Sequence, residues 1–137
     1  AVARAVATAG DAGGNAIPLK VSAPFHCALM APAGKVVGET LDTVTISPLT
    51  FPVVANVDAT PNGDAARVKE LLVRQVDGAV RWEESIRHLE AQGVTLALEI
   101  GPGKVLAGLV KRITKSITVI SVNDVAGLEA AAIALAT

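Results

Sequence analysis

Apolar residues recur along the chain with two different periods, and the switches between them mark out the predicted elements. From Leu29 onward they fall at Leu29, Ala33, Val36, Val37, Leu41 and Val44, spacings of three and four that describe one face of a helix. Pro32 is tolerable only in its first turn, where the missing N–H would have no partner anyway. Val68, Leu71, Leu72, Gln75 and Val76 form a second such face after Asp64, and Asp77-Gly78 breaks it. Trp82, Ile86 and Leu89 form a third, stopped by Gly93 in the manner of a glycine just past a helix end. A fourth carries Val105, Leu106, Leu109, Val110 and Ile113 within residues 104–115, and Asn123-Asp124 caps a last, Ala-rich helix reaching about Leu135.

Between these faces lie β-branched runs at residues 53–57 and 117–122, a largely apolar run at 94–100 and a short stretch at 17–22, which read as strands. Residues 10–15, 60–63 and 101–103 carry turn chemistry. Strands alternating with helices predict an α/β fold with parallel pairing and helices covering the sheet. Residues 1–9, AVARAVATA, read as an apolar helix with no capping residue ahead of them and no initiating Met, which leads us to expect a piece of a longer protein.

Composition narrows the function classes. A chain of 137 residues suits one core, and 51% hydrophobic residues with a mean hydropathy of +0.50 exclude intrinsic disorder. Phe25, Phe51 and Trp82 are the only aromatic residues and the formal net charge is −1, a poor basis for stacking bases or neutralising phosphates, so no nucleic-acid partner is expected. No run approaches the ~20 apolar residues of a membrane span, and no signal peptide is visible, so no membrane association is expected. Cys27 is the only cysteine, so no intrachain disulfide can form, which fits a cytoplasmic location. With His26, Cys27 and His88 as the whole His/Cys inventory, no metal site is expected.

Four candidates for chemistry remain. Gly101-Pro102-Gly103-Lys104 lies between a strand and a helix, as phosphate loops do, but Val105 stands where a Walker loop needs Ser or Thr, and Leu98 where it needs its first glycine. His26 ends a strand in a Pro-containing turn, a position that faces the ligand crevice in open α/β sheets, and its imidazole can exchange a proton near neutral pH. Taken alone, such a His is more often a satisfied structural residue, and both readings stand at this point. Cys27 as a nucleophile served by His26 is disfavoured, because adjacent side chains rarely face each other. No G-x-S-x-G elbow occurs, so a base at His26 would need a nucleophile from outside these residues. Lys104, Lys111 and Lys115, with Arg112, share one side of a helix, either as a solvated face or as a docking strip for an acidic partner.

Residues 21–32, VSAPFHCALMAP, resemble the segment around the catalytic histidine of malonyl-CoA:acyl-carrier-protein transacylases. PVVANVDA (52–59), LVRQV (72–76), V-x-W-x-x-S-I (80–86) and EIGPGKVLAGLVKRI (99–113) follow in the family's order, so the resemblance covers nearly the whole chain. It implies a partial α/β-hydrolase-like parallel sheet with flanking helices, residues 23–137, preceded by the tail of a ferredoxin-like inserted subdomain, residues 1–22. It implies malonyl transfer from CoA to the phosphopantetheine thiol of acyl carrier protein through a serine ester, with His26 as the base. Gln75 would offer a main-chain carbonyl to that histidine. Phe25 would crowd an α-methyl on the acyl group, Asn56 would lie near the site, and Lys111 and Arg112 would meet the acidic carrier. No cofactor is implied beyond malonyl-CoA as substrate. The serine, the arginine for the malonyl carboxylate and the first oxyanion loop belong to the family's N-terminal half, which these residues do not match; that half is therefore an expected partner, and these residues alone are expected to be inactive. The alternatives are a non-catalytic carrier-binding module and a nucleotide-binding α/β domain.

Overall fold

The computed structural model describes residues 2–18 and 21–136. Helix α1 (Val2–Asp11) runs into a turn at Gly13, whose φ of +74° only glycine adopts freely. The strand expected at 17–22 does not form among the described residues, while Leu19 and Lys20 lie outside them. A strand is stable only when its N–H and C=O groups are paired, and no strand among the described residues pairs with this segment. A 3₁₀ turn (Ala28–Met30) then leads into α2 (Ala31–Leu41), with Pro32 in its first turn and Val44 beyond its end.

Helix α2 packs along α3 (Val68–Asp77), and Gly34 and Gly38 lie one turn apart against Val73 and Val76. A methyl placed on Gly38 would sit 3.5 Å from Val73 Cγ2, an ordinary contact. Gly38→Ala is therefore expected to stabilise the protein by about 0.5–1 kcal/mol, by restricting the unfolded chain, and a raised unfolding midpoint would show it.

The run 53–57 gives only a two-residue strand, β1 (Val53–Val54), half-buried at best, paired antiparallel with β2 (Pro61–Asn62). Both differ from the expectation of a buried strand followed by a turn. Ala59 N–H donates to the Ala55 carbonyl at 2.9 Å, closing a tight turn over residues that would have extended β1. Pro61 brings no N–H to the ladder, so the pairing stops almost where it begins. Asn62 is buried, and its amide bonds both the N–H and the carbonyl of Asp64. Asp64 in turn caps the 3₁₀ turn (Ala65–Arg67) that opens α3.

The second half follows the predicted alternation. Helix α4 (Trp82–Ala91) ends at Gly93 with φ +80°. Strands β3 (Leu96–Ile100) and β4 (Thr118–Val122) pair in parallel, Leu96 opposite Thr118 and Ile100 opposite Val122, joined through α5 (Val105–Ile113). Helix α6 (Val125–Leu135) is capped by the Asp124 carboxylate on Gly127 N–H at 2.8 Å and packs on β4. Ile86, Val110 and Ile117 form the core, with Trp82, Leu89, Ile113 and Val119 against it. The core is thin: Ile100, Val105, Val125 and Ile133 remain 70–80% exposed. No helix among the described residues is long and apolar enough to cross a membrane.

Candidate active site

Helix α3 creates the site by ending. Gly78 N–H closes back onto the Arg74 carbonyl at 3.1 Å, the last helical bond, and leaves the carbonyls of the final turn without helical donors. His26 supplies one. Its Nδ1 lies 3.1 Å from the Gln75 carbonyl and 3.2 Å from the Gly78 carbonyl. Carbonyl oxygens only accept, so Nδ1 carries the hydrogen and the Nε2 lone pair is left free to accept one. The residue itself adopts φ +55°, the left-handed region, an uncommon backbone for a non-glycine and one often found at functional sites. The ring is exposed.

Gln75 and Asn56 also line a cavity of about 320 Å³, with Val53, Val54, Leu71 and Leu72 among its apolar walls. Asn56 is held from behind, its carbonyl accepting Arg81 N–H at 2.8 Å. Phe25 does not line this cavity; it lies 55% exposed beside His26. The Cys27 thiol donates to the Pro24 carbonyl at 3.1 Å and so is tied to its own turn. Gly78 was missed in the sequence. The signal was there, since Asp77-Gly78 ends a helix and terminal carbonyls need donors, but nothing linear says which donor arrives.

Lys111 and Arg112 are exposed on the last turn of α5 and are not part of the His26 cluster. Among the described residues Lys104, Lys111, Arg112 and Lys115 have no carboxylate partner, whereas Lys35, Arg67, Lys69, Arg74, Arg81 and Arg87 are all ion-paired. No group of three or more His, Cys, Asp and Glu among the described residues is placed to hold a metal.

The GPGK loop does not offer a phosphate its helix. Gly101 and Gly103, at φ +131° and +96°, turn the chain so that the Glu99 carboxylate accepts from the N–H groups of Leu106 and Ala107 at 2.9 and 3.0 Å. Ser121 Oγ donates to the same carboxylate at 3.3 Å. An incoming phosphate would meet the occupied Leu106 and Ala107 donors and a like charge, which argues against the nucleotide-binding alternative.

Burial opposes ionisation of Glu99, but the two N–H bonds and Ser121 outweigh it and hold its carboxyl below the ordinary range. A lowered folded value means stability that is complete above the unfolded value of about 4.3 and is lost as the pH falls through the lower folded one. Melting temperature is therefore expected to drop with acidification below about pH 4.3, and Glu99→Gln should flatten that drop. Some slope should persist, because hydrogen bonds from Thr114 and Ser116 likewise hold Glu90 down.

An α/β unit presenting an imidazole held through Nδ1 by main-chain carbonyls, with Nε2 open, has the chemistry a general base requires. Comparison with known proteins gives such a unit a family. No family model matches the chain. The malonyl CoA-acyl carrier protein transacylase of Salmonella typhimurium is 47% identical over 132 residues, 96% of this chain and 43% of the relative. The acyl-carrier-protein-S-malonyltransferase of Bartonella henselae superposes with a TM-score of 0.92 at 44% identity, over 99% of this chain and 44% of that one. A malonyl-transacylase solved in complex with its type II PKS acyl-carrier protein gives 0.89 at 44% identity, over 95% of this chain and 42% of that one. The chain belongs to the malonyl-CoA:acyl-carrier-protein transacylase family, and it spans less than half the length of the relatives it matches.

Proposed function

We propose that the chain is the base-bearing part of an enzyme that moves a malonyl group from CoA to the phosphopantetheine thiol of acyl carrier protein. The hydrogen bond from His26 Nδ1 to the Gln75 carbonyl carries this reading, because it sets the tautomer that proton abstraction needs. In the first half-reaction Nε2 takes the proton of a serine hydroxyl from the rest of the enzyme as that oxygen attacks the malonyl thioester. The thioester C–S bond then breaks, and Nε2 returns the proton to the departing CoA sulfur. In the second half Nε2 takes the carrier's thiol proton, sulfur attacks the serine ester carbonyl, the ester C–O bond breaks, and the proton goes back to the departing serine oxygen. The imidazolium formed each time keeps its Nδ1–H on the carbonyls at the end of α3, where the negative end of the helix dipole also favours it.

Phe25 beside the base would crowd a methyl on the acyl α-carbon, worth about 1–3 kcal/mol against branched substrates. Asn56 supports the loop behind the site. The unpaired strip with Lys111 and Arg112 would receive an acidic carrier protein; a structural relative was solved in complex with its acyl-carrier protein. In this reading residues 1–22 end a ferredoxin-like subdomain and residues 23–137 belong to an α/β-hydrolase-like domain. No resident cofactor is needed, malonyl-CoA being the substrate, and the partner completing the site is the family's N-terminal half.

The test is a full-length chimera in which residues 1–137 replace the matching segment of the Salmonella typhimurium relative. Malonyl should appear on the carrier thiol. A folded chimera that leaves the carrier unloaded would overturn the proposal. The strip's unpaired cations also support a second reading, a carrier-binding module without catalysis; it requires the chain alone to bind the carrier, weakened by salt and by charge reversal at Lys111 and Arg112.

A further inference from the structure

We infer that Gly78 is a positioning residue for His26, its main-chain carbonyl sharing the Nδ1–H with Gln75 in a three-centre hydrogen bond. This rests on the reading of His26 as the base and adds a second carbonyl to it. One acceptor leaves a ring free to swing about the bond; two acceptors at 3.1 and 3.2 Å, set three residues apart along the chain, fix its plane as well. That is the service a carboxylate with two oxygens gives a histidine in other base sites, here performed by two peptide carbonyls at a helix end.

The carbonyl is itself held in place. A Cβ on Gly78 would stand 2.6 Å from the Arg74 carbonyl oxygen and 2.9 Å from Val57 Cγ2, closer than real contacts allow. Neither neighbour yields readily. The Arg74 carbonyl is fixed by the last helical bond, and Val57 sits in the loop that Arg81 clamps, through Arg81 N–H to the Asn56 carbonyl at 2.8 Å and Arg81 Nη1 to the Asp58 carbonyl at 3.2 Å. Glycine at this position is thus required by space, its φ of −76° being open to any residue. Any side chain must push residue 78, and its carbonyl, away from the imidazole.

Two measurements on the full-length chimera test this. With 1-¹³C-glycine and ¹⁵N-alanine labelling, the Gly78-Ala79 peptide, the only Gly-Ala pair within residues 1–137, reports the Gly78 carbonyl shift. That shift should move upfield in His26→Ala, as expected when a carbonyl loses a donor; an unchanged shift overturns the inference whether or not His26 proves to be the base. Gly78→Ala should lower kcat about ten- to a hundredfold with KM within about twofold, the mark of a misplaced base and not of lost binding. Gly38→Ala, on the neighbouring helix, should leave kcat unchanged. A folded Gly78→Ala chimera with unaltered kcat would also overturn the inference. Loss of transfer in His26→Ala is a separate result and bears only on the base.

Discussion

His26→Ala in the full-length chimera is expected to reduce malonyl transfer by about 10²–10⁴-fold while leaving the fold intact. The ring is exposed and its hydrogen bonds within the described residues all run through Nδ1, so its removal opens no buried cavity and strands no buried charge. In the proposed mechanism, what disappears is the proton acceptor for two different nucleophiles, the serine hydroxyl and the carrier thiol. The two should not suffer equally. A thiol ionises several units below an alcohol, so the second half-reaction should recover at alkaline pH more than the first. Measuring malonyl-enzyme formation and its discharge to carrier separately, by single-turnover quench, would resolve the two steps. Equal rates in the variant and the parent chimera would remove His26 from the chemistry.

The second large effect concerns the chain by itself. Leu128 and Leu135 on α6 are 60% and 66% exposed, Val125 and Ile133 on the same helix are more so, and Ile100 and Val105 flank the GPGK loop uncovered. Among the described residues no large side chain is fully buried. Apolar surface so widely displayed drives association at roughly 25 cal/mol per Å² covered. The two-stranded sheet compounds this, because the outer edges of β3 and β4 carry unpaired N–H and C=O groups. Sedimentation of the isolated chain at micromolar concentrations should therefore show species larger than a monomer, with strong binding of a hydrophobic dye. In the full-length chimera both signals should fall sharply. A monodisperse monomer that unfolds cooperatively would contradict this.

The sequence was most legible where one element answers to its own residues. Trp82, Ile86 and Leu89 are spaced to build one helical face and do so; Asp124 caps α6, and residues 94–100 and 117–122 contain the parallel pair. It was least legible at 17–22, which reads as a short strand, and at 53–57, where β-branched composition promised one. Composition can prepare a strand, but only a neighbour at the right distance completes one, and at 53–57 the turn closed by Ala59 removes all but two residues from pairing. For the site, the motif around His26 and the family order of LVRQV pointed to Gln75, while Gly78 was legible only as a helix end and not as a partner of His26.

Residue types and spacing by themselves determined which segments coil, which extend, where each stops, and that an imidazole stands in a turn at residue 26. Tertiary structure alone decided what that imidazole can do. A side chain's chemistry is written in its atoms, but its tautomer and direction depend on a partner 49 residues away, set by where another helix runs out of hydrogen bonds.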